Sequence, residues 1–174
     1  MQRLGWVLVF ILKMLIVGIR REVLKLIWRL FLLVMIVFPA EAKIKAVDGD
    51  SLVWGDRRIR LLGLDAPEYR QTCGDKDGND YPCGLEALNY LKGLVSSGRV
   101  KCRRIKKDIY GRDLSICHVN GKDINREMIA SGWAVAYRTK KEKYLAAERE
   151  AKRKHRGMWQ GKFMKPELYR ILTK

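Results

Sequence analysis

Three short stretches of charged residues in the middle of this 174-residue chain could together carry out chemistry on a phosphate ester. The first is DGD at 48–50, the second is RLLGLDAPE at 60–68, and the third is YGR at 110–112. Carboxylate oxygens bind hard divalent cations, and a further carboxylate can orient or deprotonate a water molecule. Two guanidinium groups can bind the non-bridging oxygens of a phosphate while negative charge builds on phosphorus. These residue types therefore suit metal-assisted cleavage of a phosphodiester bond.

Each stretch taken alone has an ordinary structural interpretation. An Asp-Gly-Asp sequence is usually a turn, and an isolated Arg or Glu usually faces solvent. The chemical interpretation therefore depends on the order and spacing of the three stretches together.

In this order and at these distances, the three stretches resemble the staphylococcal nuclease (thermonuclease) family. Three more stretches fit the same family: NGKDIN at 120–125, GWA at 132–134 and GMWQG at 157–161. The resemblance runs from about Lys43 to Arg170, which is nearly all of the chain beyond its N-terminal segment. It implies a calcium-dependent endonuclease that cleaves the P–O5′ bond of DNA and RNA with little sequence preference and leaves 3′-phosphate ends.

The resemblance assigns the metal ion to the acids of the first two stretches. It implies that Asp50, Asp65 and the backbone carbonyl of Ala66 surround Ca²⁺, with Asp48 near the ion but less certain as a direct ligand. The chemistry of hard oxygen donors, taken by itself, is compatible with Ca²⁺, Mg²⁺ or Mn²⁺.

The resemblance also assigns the catalytic and substrate-binding roles. Glu68 is expected to act as the general base or to orient the attacking water, and Arg60 and Arg112 are expected to bind the phosphate. Arginine suits this role because its planar fork meets two phosphate oxygens and keeps its charge. Tyr110 and Tyr137 are implied to contact the nucleotide.

Basic residues exceed acidic ones by a wide margin: there are 36 Lys and Arg against 19 Asp and Glu, and the formal net charge is +17. Only six of the bases and two of the acids lie in residues 1–42, so the excess belongs mainly to the rest of the chain. Such a charge attracts polyanions through counterion release, and we expect a monomer that binds DNA and RNA. Charge alone is also compatible with contact to an anionic membrane or with a solubility role.

Residues 1–42 have the composition of a targeting or membrane segment. They contain apolar runs at 4–19 and 30–38 and end in PAEA, the Ala-x-Ala pattern of a secretory signal. We expect cleavage after Ala42, which would place a nuclease domain, residues 43–174, in the periplasm or outside the cell. A secretory signal usually has about 15–30 residues, and residues 1–42 are longer than that, so two alternatives stay open. Either translation begins at Met14, or residues 1–38 remain as a membrane anchor with the nuclease domain outside the cytoplasm.

The chain contains four cysteines, all of them beyond residue 42. An even count in an exported protein favours two disulfides. Cys102 and Cys117 lie on two β-like runs at nearly equal distances from an intervening turn, and Cys73 and Cys83 bracket a polar loop. We therefore expect the pairs Cys73–Cys83 and Cys102–Cys117. A zinc site is the weaker alternative, because the chain has no CxxC pair and only two histidines.

The hydrophobic pattern predicts short strands with helices inserted and appended. Alternating β-branched runs predict strands at 44–47, 51–54, 58–64, 100–106 and 114–119. Helical spacing and capping patterns predict three helices, at 85–95, 123–130 and 139–156. These elements suit a small closed barrel, and the resemblance narrows the fold to an OB-fold of the α+β class, with a five-stranded barrel and about three helices.

Two other functions are open to the same chain. An OB-fold of this kind could bind nucleic acid without cutting it, although such a module would be expected to lose Asp50, Arg60, Glu68 or Arg112, and all four are present. A membrane-anchored structural protein is supported only by residues 1–38.

A further acidic pattern lies between Asp75 and Glu86, where the spacing of oxygen-bearing side chains resembles a calcium-binding loop. Asp80 stands where the sharp-turn glycine of such a loop belongs, and Pro82 interrupts it. A second calcium site here is therefore a hypothesis that rests on the spacing of these side chains alone.

Overall fold

The computed structural model of the protein describes residues 20–30 and 43–173. Contacts divide the chain into two units, Met1–Glu41 and Ala42–Lys174. In the first unit, residues 20–30 form an exposed helix, α1. None of the helices in the described ranges is long and apolar enough to cross a membrane. The predicted cleavage after Ala42 and the alternative start at Met14 lie outside the described residues.

The second unit contains ten strands and four helices. The strands are β1 (Lys45–Asp48), β2 (Ser51–Trp54), β3 (Arg57–Leu61), β4 (Leu64–Asp65), β5 (Cys73–Gly74), β6 (Asp80–Tyr81), β7 (Val100–Lys107), β8 (Asp113–Val119), β9 (Lys122–Asp123) and β10 (Val135–Ala136). The helices are α2 (Cys83–Ser96), α3 (Ile124–Ala130), α4 (Glu142–Arg153) and α5 (Pro166–Leu172), and a 3₁₀ helix spans Gly157–Gln160.

The main sheet has six strands, in the order β1-β2-β3-β8-β7 with β9 paired to β8. Only the β3–β8 pair is parallel, and it aligns Arg60 with Leu114. Two further pairs, β4–β10 and β5–β6, form small antiparallel sheets. The parallel pair brings the chain segment at 110–113 beside β3, although some 50 residues separate them in sequence.

The core lies between the main sheet and the helices α2 and α3, and α4 packs on α3 and adds its apolar side chains to the same core. On β3, Ile59 and Leu61 are buried in this core while Arg58 and Arg60 project from the other face of the strand, as the period of two in a strand requires. The helices contribute apolar side chains at helical spacing, namely Ala87, Leu91, Ile124, Met128, Ile129, Tyr144 and Ala147. The core thus fixes which side chains of β3 are available for chemistry.

The architecture confirms the α+β expectation, and α2, α3 and α4 correspond to the three predicted helices. β7 and β1 lie at opposite ends of the strand order, and no pairing joins them in the described part of the chain. The strand pairing therefore does not show the closed five-stranded barrel that the sequence predicted. Helix α5 was not predicted.

Two predicted boundaries are wrong for local reasons. The strand predicted at 58–64 breaks after Leu61, because Gly63 adopts a φ of +90° and a Cβ there would lie 2.9 Å from the Tyr144 ring. The helix predicted from Thr139 begins three residues later at Glu142. Thr139 Oγ1 accepts a hydrogen bond from Lys141 N at 3.2 Å, so its hydroxyl closes a turn before the helix instead of capping it.

Both predicted disulfides are formed, Cys73–Cys83 and Cys102–Cys117, and no described cysteine is free. The alternative of a cysteine zinc site is therefore wrong. Cys102 and Cys117 are direct cross-strand partners on β7 and β8. The other bridge joins β5 to the first residue of α2 and lies beside the loop that carries Glu68.

Removing the Cys102–Cys117 bridge is expected to lower the free energy of unfolding by about 3 kcal/mol, since it closes a 15-residue interval in the unfolded chain. The measurement is urea unfolding of Cys102→Ala/Cys117→Ala beside the wild type. Cys73→Ala/Cys83→Ala, which opens a 10-residue interval, serves for comparison and should cost slightly less. Unchanged stability in the first variant would contradict the expectation.

Candidate active site

Arg60, on β3, lies at the centre of a cluster of acids that come from other elements of the domain. Its Nη2 lies 2.8 Å from Oδ2 of Asp50 and 2.6 Å from Oδ1 of Asp65. Its Nη1 also donates to Oδ1 of Asp50 at 3.0 Å. One guanidinium therefore joins the two acids that the sequence assigns to a metal ion, although 15 residues separate them.

Asp50 lies in the turn between β1 and β2 and is buried. Ser51 Oγ donates to its Oδ1 at 2.8 Å, and the backbone amide of Ala66 approaches its Oδ2 at 3.5 Å. Burial raises the pKa of the Asp50 carboxyl, and the adjacent Arg60 guanidinium opposes this shift. Gly49 allows the close packing, because a Cβ there would lie 2.7 Å from the Cβ of Ala66. The turn therefore packs directly on the residue that follows β4.

Glu68 lies on a loop whose backbone is fixed by hydrogen bonds to Gln71 and by close packing against the start of α2. Its backbone amide donates to Oε1 of Gln71 at 3.2 Å, and its carbonyl accepts from Gln71 N at 2.7 Å. Gln71 is fully buried, and its carbonyl accepts from Gly84 N at 3.1 Å. A side chain at Gly84 would collide with the Glu68 carbonyl, so glycine at the start of α2 lets the helix pack against this loop. The loop backbone is thus preorganised, while the Glu68 side chain is 32% exposed.

Arg170, near the end of α5, contacts the same acids, and the sequence analysis did not predict this. It forms a bidentate pair with Asp65, with Nη1–Oδ1 at 3.0 Å and Nη2–Oδ2 at 2.9 Å, and Nη1 also donates to Oε1 of Glu68 at 2.6 Å. Burial lowers the pKa of Arg170, but the hydrogen bonds to both acids outweigh this effect and raise it. No local signal marks Arg170, because its partners lie more than 100 residues earlier in the chain.

Asp48, at the end of β1, belongs to the same electrostatic environment. Its Oδ1 accepts from the backbone amide of Gly49 at 2.8 Å. Burial, followed by the charge of Asp50, raises the pKa of Asp48 from 3.8 to about 6, and the charge of Glu68 adds to this effect. Asp48 is therefore close enough to the acids of the cluster to be repelled by them.

The raised pKa of Asp48 predicts a pH-dependent effect of Asp48→Asn. Since the folded state binds this proton more tightly than the unfolded chain, the stability that the proton confers is present near pH 4 and lost as pH rises through about 6. At pH 7, Asp48→Asn should raise the free energy of unfolding by on the order of 1–2 kcal/mol, a figure reduced for solvent screening of a half-buried group. Near pH 4, the gain should largely disappear.

The measurement is urea unfolding at pH 4 and pH 7 in the presence of a chelator. Asp56→Asn, an exposed acid in the β2–β3 turn, is the control. A gain of the same size at both pH values, or a loss at pH 7, would contradict the assignment.

Arg112 lies just before β8, the strand that pairs with β3. Asp108 binds it twice, accepting from Nε at 2.7 Å and from its backbone amide at 2.9 Å. The guanidinium also lies 5.6 Å from the centre of the Tyr110 ring. The Nη atoms of Arg112 donate to none of the described residues. The structure thus does not join Arg112 to the Arg60 cluster by a hydrogen bond, but it leaves the outer edge of its fork available.

The two tyrosines assigned to the nucleotide differ in their surroundings. Tyr110 is 65% exposed at the tip of the β7–β8 hairpin. The Tyr137 hydroxyl donates to Oε1 of Glu167 on α5 at 2.7 Å, and the Tyr137 amide donates to the carbonyl of Gly63 at 3.0 Å. Tyr137 therefore connects α5 to the segment that carries Gly63, a contact that the sequence did not predict.

The donor set at Asp50 and Asp65 fits a hard divalent cation in its chemistry, because both ligands offer carboxylate oxygens close to one point. In the residues that the structure describes, no group of three or more His, Cys, Asp or Glu is arranged to hold a metal ion. Both oxygens of Asp65 accept hydrogen bonds from arginines. A cation bound by the carboxylates of Asp50 and Asp65 would have to share them with Arg60 and Arg170.

The loop after Asp75 is closed by hydrogen bonds. Asp75 Oδ1 accepts from the backbone amides of Asp77 and Asn79 at 2.8 and 2.9 Å, and Oδ2 accepts from Asn79 Nδ2 at 3.3 Å. The hydrogen bond from the Asn79 amide is the main cause of a lowered pKa of Asp75. These bonds explain the acidic pattern as a side-chain-capped turn, and the proposed second calcium site gains no support.

The fold and this cluster define a small α+β domain that gathers acids and arginines around one residue of a mixed sheet. Residues 58–161 match the family model described as staphylococcal nuclease homologue, and the chain belongs to that family. The resemblance inferred from the sequence is thereby confirmed. The matched span includes Arg60, Asp65, Glu68 and Arg112, whereas Arg170 lies beyond it.

The chain is also similar to several curated proteins. The succinoglycan biosynthesis protein ExoI of Rhizobium meliloti (strain 1021) is 37% identical over 124 residues, covering 70% of this chain and 65% of the relative. An uncharacterized endonuclease of Haemophilus influenzae is 32% identical, covering 67% of this chain and 64% of the relative. A probable endonuclease lcl3 of Botryotinia fuckeliana is 32% identical, covering 74% and 53%. The chain thus spans between half and two thirds of the length of these relatives.

Proposed function

We propose that residues 43–174 form a calcium-dependent endonuclease that hydrolyses phosphodiester bonds of DNA and RNA with little sequence preference and leaves 3′-phosphate ends. The observation that carries the proposal is the Arg60 guanidinium held between Asp50 and Asp65, with Glu68 joined to Asp65 through Arg170. Family membership supports it, as does the naming of two relatives as endonucleases.

In the proposed reaction, Arg60 and Arg112 bind the non-bridging oxygens of the scissile phosphate. Two acids hold Arg60 in place, so the direction of its guanidinium is fixed before the substrate binds. Of the guanidinium nitrogens of Arg112, Asp108 accepts from Nε alone, and the Nη atoms donate to no acceptor among the described residues. A bound Ca²⁺ would supply further charge neutralisation at Asp50 and Asp65.

Glu68 removes a proton from the attacking water. Arg170 occupies its Oε1, while Oε2 accepts no hydrogen bond from the described residues and is the oxygen available to water. Water forms a bond to phosphorus in line with the leaving oxygen, the P–O5′ bond breaks, and the departing 5′ oxygen takes a proton from solvent, to which Glu68 then returns its own. The products are a 3′-phosphate and a 5′-hydroxyl.

The location and assembly of the enzyme are part of the proposal. We propose that residues 1–42 direct export, so that the domain works as a secreted or periplasmic monomer. The alternative is that residues 1–38 stay attached and hold the domain at a membrane, outside the cytoplasm.

A nucleic-acid-binding module without cleavage is the second candidate function. The observation in its favour is β7, an exposed edge strand in which five of eight residues are Lys or Arg. We propose that the sheet forms an OB-type barrel, a fold whose face commonly binds single-stranded nucleic acid. Under this alternative, the acids around Arg60 would serve only to order the sheet.

Digestion of 5′-labelled single-stranded DNA by the purified chain, with Ca²⁺ or with a chelator, separates the two functions. We expect calcium-dependent cleavage that is lost in Arg60→Ala/Glu68→Ala. The matched control is Glu150→Ala/Arg153→Ala, which removes an exposed ion pair from α4 with the same change of charge. DNA that is bound but intact with Ca²⁺, Mg²⁺ and Mn²⁺ would overturn the nuclease proposal and leave the binding module.

A further inference from the structure

The segment that follows α4 runs back along the active-site loop. Gln71 Nε2 donates to the Met164 carbonyl at 2.7 Å, and Gly74 N donates to the Lys162 carbonyl at 2.8 Å. Because Gln71 is the same buried residue that fixes the backbone of Glu68, the C-terminal segment and the Glu68 loop share one anchor. The position of this segment is therefore coupled to the position of Glu68.

Apolar contacts reinforce this attachment. The rings of Trp159 and Phe163 pack edge to face at 4.7 Å, and both lie against a buried cluster that contains Met158 and the Cys73–Cys83 bridge. Gly161 packs so closely on the backbone of residues 74–75 that a side chain there would collide with it. A segment packed this tightly delivers the helix that follows it to a defined place.

Helix α5 contacts the rest of the domain near both of its ends. Near its start, Pro166 is buried and Glu167 accepts the hydrogen bond from the Tyr137 hydroxyl. Near its end, the Tyr169 hydroxyl approaches the Arg70 carbonyl at 3.5 Å, and Arg170 follows directly. The helix therefore presents Arg170 to Asp65 and Glu68 from a supported backbone.

We propose that Arg170 is a positioning residue of the active site, which orients the carboxylate of Glu68 relative to Asp65. This inference rests on the proposed nuclease function and adds to it a part of the chain beyond the span matched by the family model. The planar fork of arginine suits the task, because Nη1 reaches both acids while Nη2 completes the bidentate pair with Asp65.

The repulsion among the acids and the flexibility of the Glu68 side chain explain why Glu68 needs a positively charged partner. The four acids Asp48, Asp50, Asp65 and Glu68 are crowded together, and Arg60 contacts only Asp50 and Asp65. Without Arg170, Glu68 would have no cationic partner among the described residues and would be repelled by its acidic neighbours. Its partly exposed side chain would then sample several rotamers, and few of them would place Oε2 beside the attacking water.

The kinetic test compares Arg170→Ala, Arg170→Lys and Arg153→Ala in the full chain with Ca²⁺ and a single-stranded oligonucleotide. Arg170→Ala should lower kcat about 10- to 100-fold, as loss of orienting partners does, while KM changes less than about threefold. Arg170→Lys should recover part of the loss, since it keeps the charge without the fork. Arg153→Ala, which removes an exposed arginine of α4, should match the wild type.

Three kinetic results would overturn the proposal. Wild-type kcat in Arg170→Ala would show that Glu68 needs no orientation. Faster cleavage would show that Arg170 obstructs the site. A raised KM with unchanged kcat would show that Arg170 binds the substrate and does not position Glu68.

A second measurement does not depend on cleavage or on a metal ion. In full-chain protein labelled with ¹⁵N-arginine, the Arg170 Nη signals should be resolved, because contacts to two carboxylates slow rotation of the guanidinium. Glu68→Gln should shift these signals, whereas Glu127→Gln, an exposed acid paired with Arg126, should not. Arg170 signals that ignore Glu68→Gln would overturn the proposal even in an active enzyme. A wild type without activity would instead overturn the nuclease function, and the NMR result would still decide the contact.

Discussion

Glu68→Gln is expected to lower kcat for DNA cleavage by about 10²- to 10⁴-fold, the usual contribution of general acid–base catalysis. The amide cannot accept the proton of the attacking water. Its oxygen can still accept a hydrogen bond from Arg170 in place of Oε1, so the fold and the position of α5 should be retained. The loss should therefore fall on kcat and leave KM nearly unchanged. The measurement is single-turnover cleavage of an end-labelled oligonucleotide at saturating Ca²⁺.

Glu86→Gln provides the matched control for this variant. Glu86 is an exposed acid in the first turn of α2, close in sequence to the Glu68 loop, and the calcium-loop pattern that it ends gains no support from the structure. Its replacement should leave kcat unchanged. If Glu68→Gln cleaved within threefold of the wild type, Glu68 would not be the base, and the water would have to be activated by another group.

Arg60→Ala is expected to produce two separate losses, one of activity and one of stability. Removing a charge-stabilising donor from the site should lower kcat by about 10²- to 10³-fold. The change also leaves Asp50 buried without its cationic partner, and breaking a buried ion pair on one side costs roughly 3–5 kcal/mol. Asp65 keeps its pair with Arg170, so we expect a value near the lower end of this range.

The stability loss in Arg60→Ala should depend on pH in a defined direction. Burial raises the pKa of Asp50 and Arg60 opposes the rise, so without Arg60 the carboxyl holds its proton to a higher pH. In acid, where Asp50 is protonated, the variant should therefore be closer in stability to the wild type than at neutral pH. Urea unfolding at pH 4 and pH 7 in a chelator measures this difference.

Arg58→Ala and Arg60→Lys separate the causes. Arg58 lies two residues earlier on the same face of β3, is exposed, and donates to the Tyr110 carbonyl at 3.0 Å. Its loss should affect neither the stability at neutral pH by more than a few tenths of a kcal/mol nor kcat by more than a few fold. Arg60→Lys should recover much of the stability, because the charge remains, but little of the kcat. Equal stability of Arg60→Ala and the wild type would contradict the role of Arg60 as counter-charge.

The strands of the main sheet could be predicted because apolar and polar residues alternate along a strand that is buried on one face. Ile59 and Leu61 alternate with Arg58 and Arg60, so the pattern alone places Arg60 on the face away from the core. The end of that strand was predicted wrongly. Gly63 turns the chain where the Tyr144 ring approaches, and Tyr144 comes from a helix some 80 residues later.

The disulfides could also be predicted, since cysteines at matching positions on a hairpin face each other once the hairpin forms. The start of α4 could not be predicted in the same way. The capping pattern shows that the Thr139 hydroxyl could cap a helix, whereas in the structure it accepts a hydrogen bond from Lys141 N instead. A local sequence pattern shows which hydrogen bonds a side chain can form. Which of these bonds forms depends on the residues that surround it in the folded structure.

The residues of the candidate site divide in the same way. The sequence by itself determined the residue types and the family, and with them the roles proposed for Asp50, Arg60, Asp65 and Glu68. Only the tertiary structure decided that one guanidinium joins Asp50 to Asp65 and that Arg170 reaches Glu68. The physical reason is distance along the chain: periodicity and capping act over a few residues, whereas Arg170 meets its acids across 102 and 105 residues. Such a contact exists only after the core has formed and the C-terminal segment has packed against the Glu68 loop.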